Sequence, residues 1–97
     1  MNKFILITVG FTLPTPEMMQ EWMQWFKSIG DRIVEQVGLS SGKEVTKAGL
    51  KDLPMNEQAL TGYLVIEAEN LDEAIKIAEA CPMVTSTLVY EVRSHGA

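Results

Sequence analysis

One cysteine and one histidine among 97 residues leave few groups for covalent or metal chemistry. A lone cysteine cannot close an internal disulfide or build a metal cluster, which suits a reducing compartment without requiring one. Clustered positive charge is missing too. The eight lysines and arginines are scattered singly against 13 acidic residues, for a formal net charge of −5. No cationic stripe is therefore available to neutralise a phosphate backbone or an anionic bilayer. Nucleic acid and membrane are accordingly not expected as partners. No segment approaches the roughly twenty apolar residues of a membrane span. Phosphate loops, dinucleotide fingerprints and metal-ligand spacings are absent, so no cofactor and no metal is expected.

What is present is a folding chain. A hydrophobic content of 46% over residues 1–97 supports a single domain with a single core. The opening, Met1-Asn2-Lys3 and then Phe4 to Phe11, has the outline of a weak signal peptide. Its apolar run is at the short limit, only Lys3 precedes it, and no small-x-small cleavage site occurs before Pro14 and Pro16. It reads instead as a first strand, and the expected location is cytoplasmic.

Lys3 to Val9 is apolar on both alternating faces, the pattern of a central strand covered on both sides. Helix one is expected to open with Thr15 as N-cap and Pro16 in the first turn, and to stop at Gly38. Along it Met19, Trp22, Phe26, Ile29, Ile33 and Val37 recur at helical spacing, with Trp22 near the centre of the stripe. Met18, Trp25, Met23 and Val34 widen the arc beyond what one sheet face needs, so part of this helix is expected to meet another subunit or line a pocket. Lys43 to Leu50 reads as a second strand at a sheet edge, Lys51 to Gln58 as a connector and Gly62 to Ala68 as a third strand. Asn70 and Glu73 form a capping box for helix two, which should bury Leu71, Ala74, Ile75 and Ala78 before Pro82 ends it. A last strand spans about Thr87 to Arg93.

Strand, helix, strand, strand, helix, strand is the order of a ferredoxin-like α+β sandwich, a four-stranded antiparallel sheet with both helices on one face. The other face is then bare. Tyr63, Val65 and Val89 are expected there with Glu67, Glu91 and Arg93, a mixed surface best hidden by a second copy of itself.

Several segments carry a family resemblance. Lys3-Phe4-Ile5-Leu6-Ile7, Pro16-Glu17-Met18 leading to Trp22-Met23-Gln24-Trp25-Phe26, Thr61-Gly62-Tyr63 with Ile66-Glu67-Ala68, Leu71-Asp72-Glu73-Ala74, Ala80-Cys81-Pro82 and Glu91-Val92-Arg93 follow in the order of the YCII-related proteins. The chain thus resembles that family, including its DGPF-type branch, within the dimeric α/β-barrel superfamily. The resemblance implies a homodimer. Some members pair a histidine in helix one with an aspartate near its end, a plausible acid–base couple. This chain has no histidine at Glu21-Trp22-Met23, and only Asp31 falls near the aspartate's place. The DGPF loop is also missing, replaced by Lys43 to Gln58.

Asp31 lies about 150° from the apolar stripe, which favours a solvated carboxylate over a catalytic one. Glu67, between strand residues, is the other candidate base; with Glu91 and Arg93 it could equally form an ion-pair network between subunits. A ligand site, if present, is expected between helix one and the sheet, near Trp22, Phe26, Tyr63 and Glu67, with Met18, Met23 and Trp25 as possible borders. Cys81 reads as a packed thiol and His95 as a solvated tail residue; both should be dispensable. Two functions compete: a homodimeric small-molecule-binding or accessory protein, and a cofactor-free isomerase, lyase or monooxygenase using Asp31 or Glu67.

Overall fold

Residues 1–93 are described in the computed structural model of the chain. Four strands form one antiparallel sheet: β1 (Asn2–Val9), β2 (Ile33–Gly38), β5 (Leu60–Ala68) and β6 (Ser86–Glu91), in the order β2-β5-β1-β6. Helix α1 (Pro16–Ser28) follows β1, and helix α2 (Leu71–Glu79) follows β5. Strands β3 (Gly42–Thr46) and β4 (Gly49–Leu53) form a separate two-stranded hairpin inserted between β2 and β5. Without that hairpin the order is βαββαβ, the ferredoxin-like arrangement read from the sequence.

Alternation along β1 sorts its side chains. Phe4 and Leu6 are fully enclosed beneath the helices together with Ile66, whereas Ile5 and Ile7 point to the opposite face and stay partly exposed. Trp25 from α1, Ile29 just after it, Leu64 and Ala68 from β5, Ala74 and Ala78 from α2, and Cys81 complete the core. Burying one large apolar side chain contributes roughly 1.5–3 kcal/mol, so this small cluster carries much of the fold's stability. Among the described residues no helix is long and apolar enough to cross a membrane.

The start of α1 is as expected: Thr15 accepts a hydrogen bond from the Met18 N–H, and Pro16 occupies the first turn. Its end is not. The helix stops at Ser28, a short 3₁₀ turn covers Gly30–Arg32, and Ile33–Gly38 is strand β2 at the edge of the sheet. Ile33, Val34 and Val37 are β-branched, and pairing with β5 satisfies their backbone groups where a longer helix would have left that side of β5 open. The over-wide apolar arc was a helix and a strand read as one element. Its centre moves accordingly, since Trp25 is 5% exposed while Trp22 is only half-buried.

Three further corrections follow. The segment 43–50 is not an edge strand of the main sheet but most of the hairpin, turned at Lys47-Ala48 with Gly49 at φ +140°, a value that favours glycine. Helix α2 buries Ala74 and Ala78 and packs Ile77 against the core, but Leu71 and Ile75 are 45% and 40% exposed. Finally, Val89 and Glu91 pair with Leu6 and Phe4 and so share the helix-covered side. Leu88 and Tyr90, paired with Ile7 and Ile5, occupy the open face in their place.

Candidate functional site

A cleft of about 280 Å³ lies between α1 and the sheet, at the end of the sheet where β1 finishes and β5 begins. Its aromatic lining includes Trp22 and Phe26 from α1, with Met18 beside them, and Phe11 from the segment after β1. Trp22, Trp25 and Phe26 form one cluster with ring centroids 5.4–5.6 Å apart, and the Trp22 and Trp25 rings meet edge to face. Trp25 is fixed by its indole N–H, which donates to the Ile77 carbonyl at 3.1 Å. That anchor ties α1 to α2 and sets Trp22 one turn away, on the cleft.

The floor is backbone and small side chains. Gly62 lies so close to β2 that a Cβ there would meet the Val37 carbonyl oxygen at 2.9 Å. Gly10, at φ +111°, packs against Thr85, where a Cβ would come within 2.8 Å of its backbone nitrogen. Between these glycines stands a hydroxyl pair. The register of β1 on β5 shifts between Thr8 and Val9, so Thr61 is an extra residue in the ladder and its hydroxyl turns toward Thr8, Oγ1 to Oγ1 at 3.0 Å. Thr8 Oγ1 also donates to the Gly62 carbonyl at 3.2 Å, and Thr61 Oγ1 reaches the Thr8 carbonyl at 3.4 Å. Gln36, from β2, and Thr12, from the segment after β1, add further polar groups to the lining.

Of the candidates from the sequence, Trp22, Phe26 and Tyr63 border this cleft and Glu67 does not. Tyr63 contributes from between Gly62 and Leu64, but its ring alternates onto the open face, where its hydroxyl donates to Glu35 Oε2 at 2.9 Å. That hydrogen bond raises the phenol's pKa above its usual value, so Tyr63 is neutral at physiological pH. Glu67 stands near the far end of β5, opposite Lys3, on the open face. It therefore does not share a side of the sheet with Glu91. Asp31 is exposed on the 3₁₀ turn, outside the cleft. Met18 lines the cleft, Met23 is 70% exposed and Trp25 is core.

Cys81 is buried, and burial pushes its thiol pKa up while a contact from the Thr87 hydroxyl pulls the other way. His95 lies outside the described residues. Among those residues no group of three or more histidine, cysteine, aspartate or glutamate side chains is placed to hold a metal ion. Thr8, Thr61, Gly62 and Gln36 were not foreseen as site residues. Thr61-Gly62 at the head of an apolar strand was the available signal, since a strand glycine marks a bulge or close backbone approach; Gln36 was hidden by its assignment to helix one.

No curated protein matches the sequence significantly. Among solved structures, 5-chloro-2-hydroxyhydroquinone dehydrochlorinase from Burkholderia phenoliruptrix AC1100, in complex with 2,5-dihydroxybenzoquinone, is similar with a TM-score of 0.51. The two share 14% sequence identity, over 98% of this chain and 99% of the other, which is a likeness of fold. The family model described as the YCII-related domain matches residues 14–94, which takes in both helices and all the strands after β1. The chain belongs to the YCII-related domain family.

Proposed function

We propose that this chain is a cytoplasmic homodimer that binds a small organic molecule in the cleft between α1 and the sheet. The observation that carries this reading is the cleft itself, a concave site with several aromatic residues and a few convergent polar groups. Dimerisation is supported by the open face, where Ile5, Ile7, Val65, Leu88 and Tyr90 form an apolar surface flanked by Glu35 and Glu67. A second copy laid on this face would complete the barrel of the superfamily that the sequence resembles. The buried, unpaired Cys81 thiol suits a reducing compartment.

The enzyme reading has one point in its favour, that the fold neighbour is a dehydrochlorinase. Acid–base chemistry here would need a proton-transfer group within reach of the bound molecule. Asp31 is exposed on its turn and Glu67 stands on the other side of the sheet, so binding is the better-supported function. A fluorescence screen of small cyclic organic molecules tests it. The expected hit quenches tryptophan emission and loses at least about tenfold in affinity in Trp22→Ala. Hits whose affinity ignores Trp22 would remove the site from this cleft.

A further inference from the structure

The walls of the cleft carry an electrostatic instruction. Among the described residues its lining contains no aspartate, glutamate, lysine, arginine or histidine, and the one titratable side chain among them, Tyr63, directs its hydroxyl to Glu35 on the other face. A charged ligand would leave water for an apolar site without a counter-charge, which is costly. The chain's net charge of −5 adds a repulsive field for anions in particular.

The hydrogen-bonding inventory narrows the ligand further. Each threonine hydroxyl has one proton to give and two lone pairs to accept with. The protons of Thr8 and Thr61 have protein acceptors in reach: the Gly62 carbonyl, the Thr8 carbonyl and each other's oxygen. With both protons engaged inside the protein, the pair presents acceptor capacity to the cleft, which a ligand hydroxyl can fill and a carboxylate cannot. Gln36 and Thr12 form no side-chain hydrogen bond with another described residue, so the Gln36 amide offers two donors and an acceptor on the same lining and Thr12 adds a hydroxyl. Trp22 and Phe26 supply ring faces, and a cleft of about 280 Å³ has room for about one or two fused rings.

Building on the proposed binding role of this cleft, we infer that its ligand is an uncharged, phenol-type ring compound: its ring packs on Trp22 and Phe26, its hydroxyl donates to the Thr8–Thr61 pair and Gln36 bonds its second polar atom. The site discriminates against carboxylates of the same shape. Gln36 and Thr61 are then the residues that set specificity.

Two probes of equal ring size test this at pH 7 by quenching of tryptophan emission in the full chain. These are 2-naphthol, which is uncharged, and 2-naphthoate, an anion. Binding of 2-naphthol at least about tenfold tighter than 2-naphthoate is expected. Gln36→Lys, on an exposed edge-strand position, should narrow or reverse that ratio, and Thr61→Val should weaken 2-naphthol while leaving 2-naphthoate little changed. Equal or tighter binding of 2-naphthoate to the wild-type chain, weakened by Trp22→Ala, would overturn the charge assignment and leave the cleft standing as a ligand site. If neither probe binds, or if both bind independently of Trp22, the phenol inference falls together with the assignment of the cleft itself.

Discussion

Phe4 and Ile5 are adjacent in sequence and similar in chemistry, yet Phe4 is completely enclosed and Ile5 sits partly exposed on the other side of the same strand. The two faces of the sheet solve different problems. The helix-covered face, with Phe4, Leu6, Leu64 and Ile66, closes on α1 and α2 and holds the fold together within one chain. The open face presents Ile5, Ile7, Val65, Leu88 and Tyr90 on the side of the sheet that neither helix covers. An apolar sheet face of this kind gains from association, because burying it removes water without further rearrangement of the fold. The cleft lies on the covered side, where α1 stands away from the sheet's end and the glycines keep the floor low.

The contrast is broken most severely by removing the largest side chain that closes the covered face. Trp25→Ala is expected to destabilise the chain by roughly 3–5 kcal/mol, because it leaves a cavity and the Ile77 carbonyl without its donor. Chemical denaturation should show the loss as a lower midpoint. Trp22→Ala, at the half-buried cleft wall, should cost clearly less, and an equal loss from both would mean that the helix is wrongly rotated.

A charge on the open face should act on assembly and leave the fold intact. Ile7→Asp is expected to convert a species of about twice the 10.8 kDa chain mass into one of chain mass, read by sedimentation at micromolar concentration. Far-UV circular dichroism should stay unchanged. A wild-type chain that sediments as a monomer would end the assembly side of the comparison.

Much of this arrangement was legible in the sequence, and the parts that were not share a cause. Thr15-Pro16 and Asn70 with Glu73 are local signals, and both helices begin where those residues place them. Lys3–Val9, read as a central strand, is one of the two central strands, and Gly62–Ala68, read as a third strand, is the other. By contrast, Ile33 and Val37 continued a helical spacing by coincidence, and only their pairing with β5, distant in sequence, decides that they are strand. The same long-range pairing decides the face of Val89 and Glu91. The cleft was legible as aromatic residues on helix one, whereas the Thr8–Thr61 pair depends on a one-residue register shift that no local pattern announces.

Asn70 offers a smaller test, on an end of a helix that packs against the covered face. Its side chain accepts from the Glu73 N–H at 2.9 Å, so Asn70→Ala should cost about 1 kcal/mol, read as a lowered unfolding temperature. Glu73 does not close the box onto Asn70 itself; its carboxylate accepts from the Glu69 N–H at 3.0 Å and from Arg32. An unchanged melting curve for Asn70→Ala would mean that this second set of contacts holds the helix start alone.

Those contacts give the smallest effect and a definite direction with pH. The Glu69 backbone N–H, then Arg32, hold the Glu73 carboxyl below its ordinary value of 4.5 in the folded chain. A depressed folded pKa means that the unfolded chain takes up the proton first as pH falls. The stabilisation from Glu73 is therefore complete above the ordinary carboxylate value and declines as pH drops through that value to the lower folded one. Because the pair is solvent-accessible, the effect should be modest and reduced by salt. Glu73→Gln keeps the shape and one acceptor but loses the charge, so the variant should be less stable than the wild type at pH 7. The two should converge as the pH falls below the depressed folded value, where the wild-type carboxyl becomes protonated. A stability difference that stays constant from pH 7 to pH 3 would assign the contribution of Glu73 to packing and hydrogen-bond geometry, with no part carried by its charge.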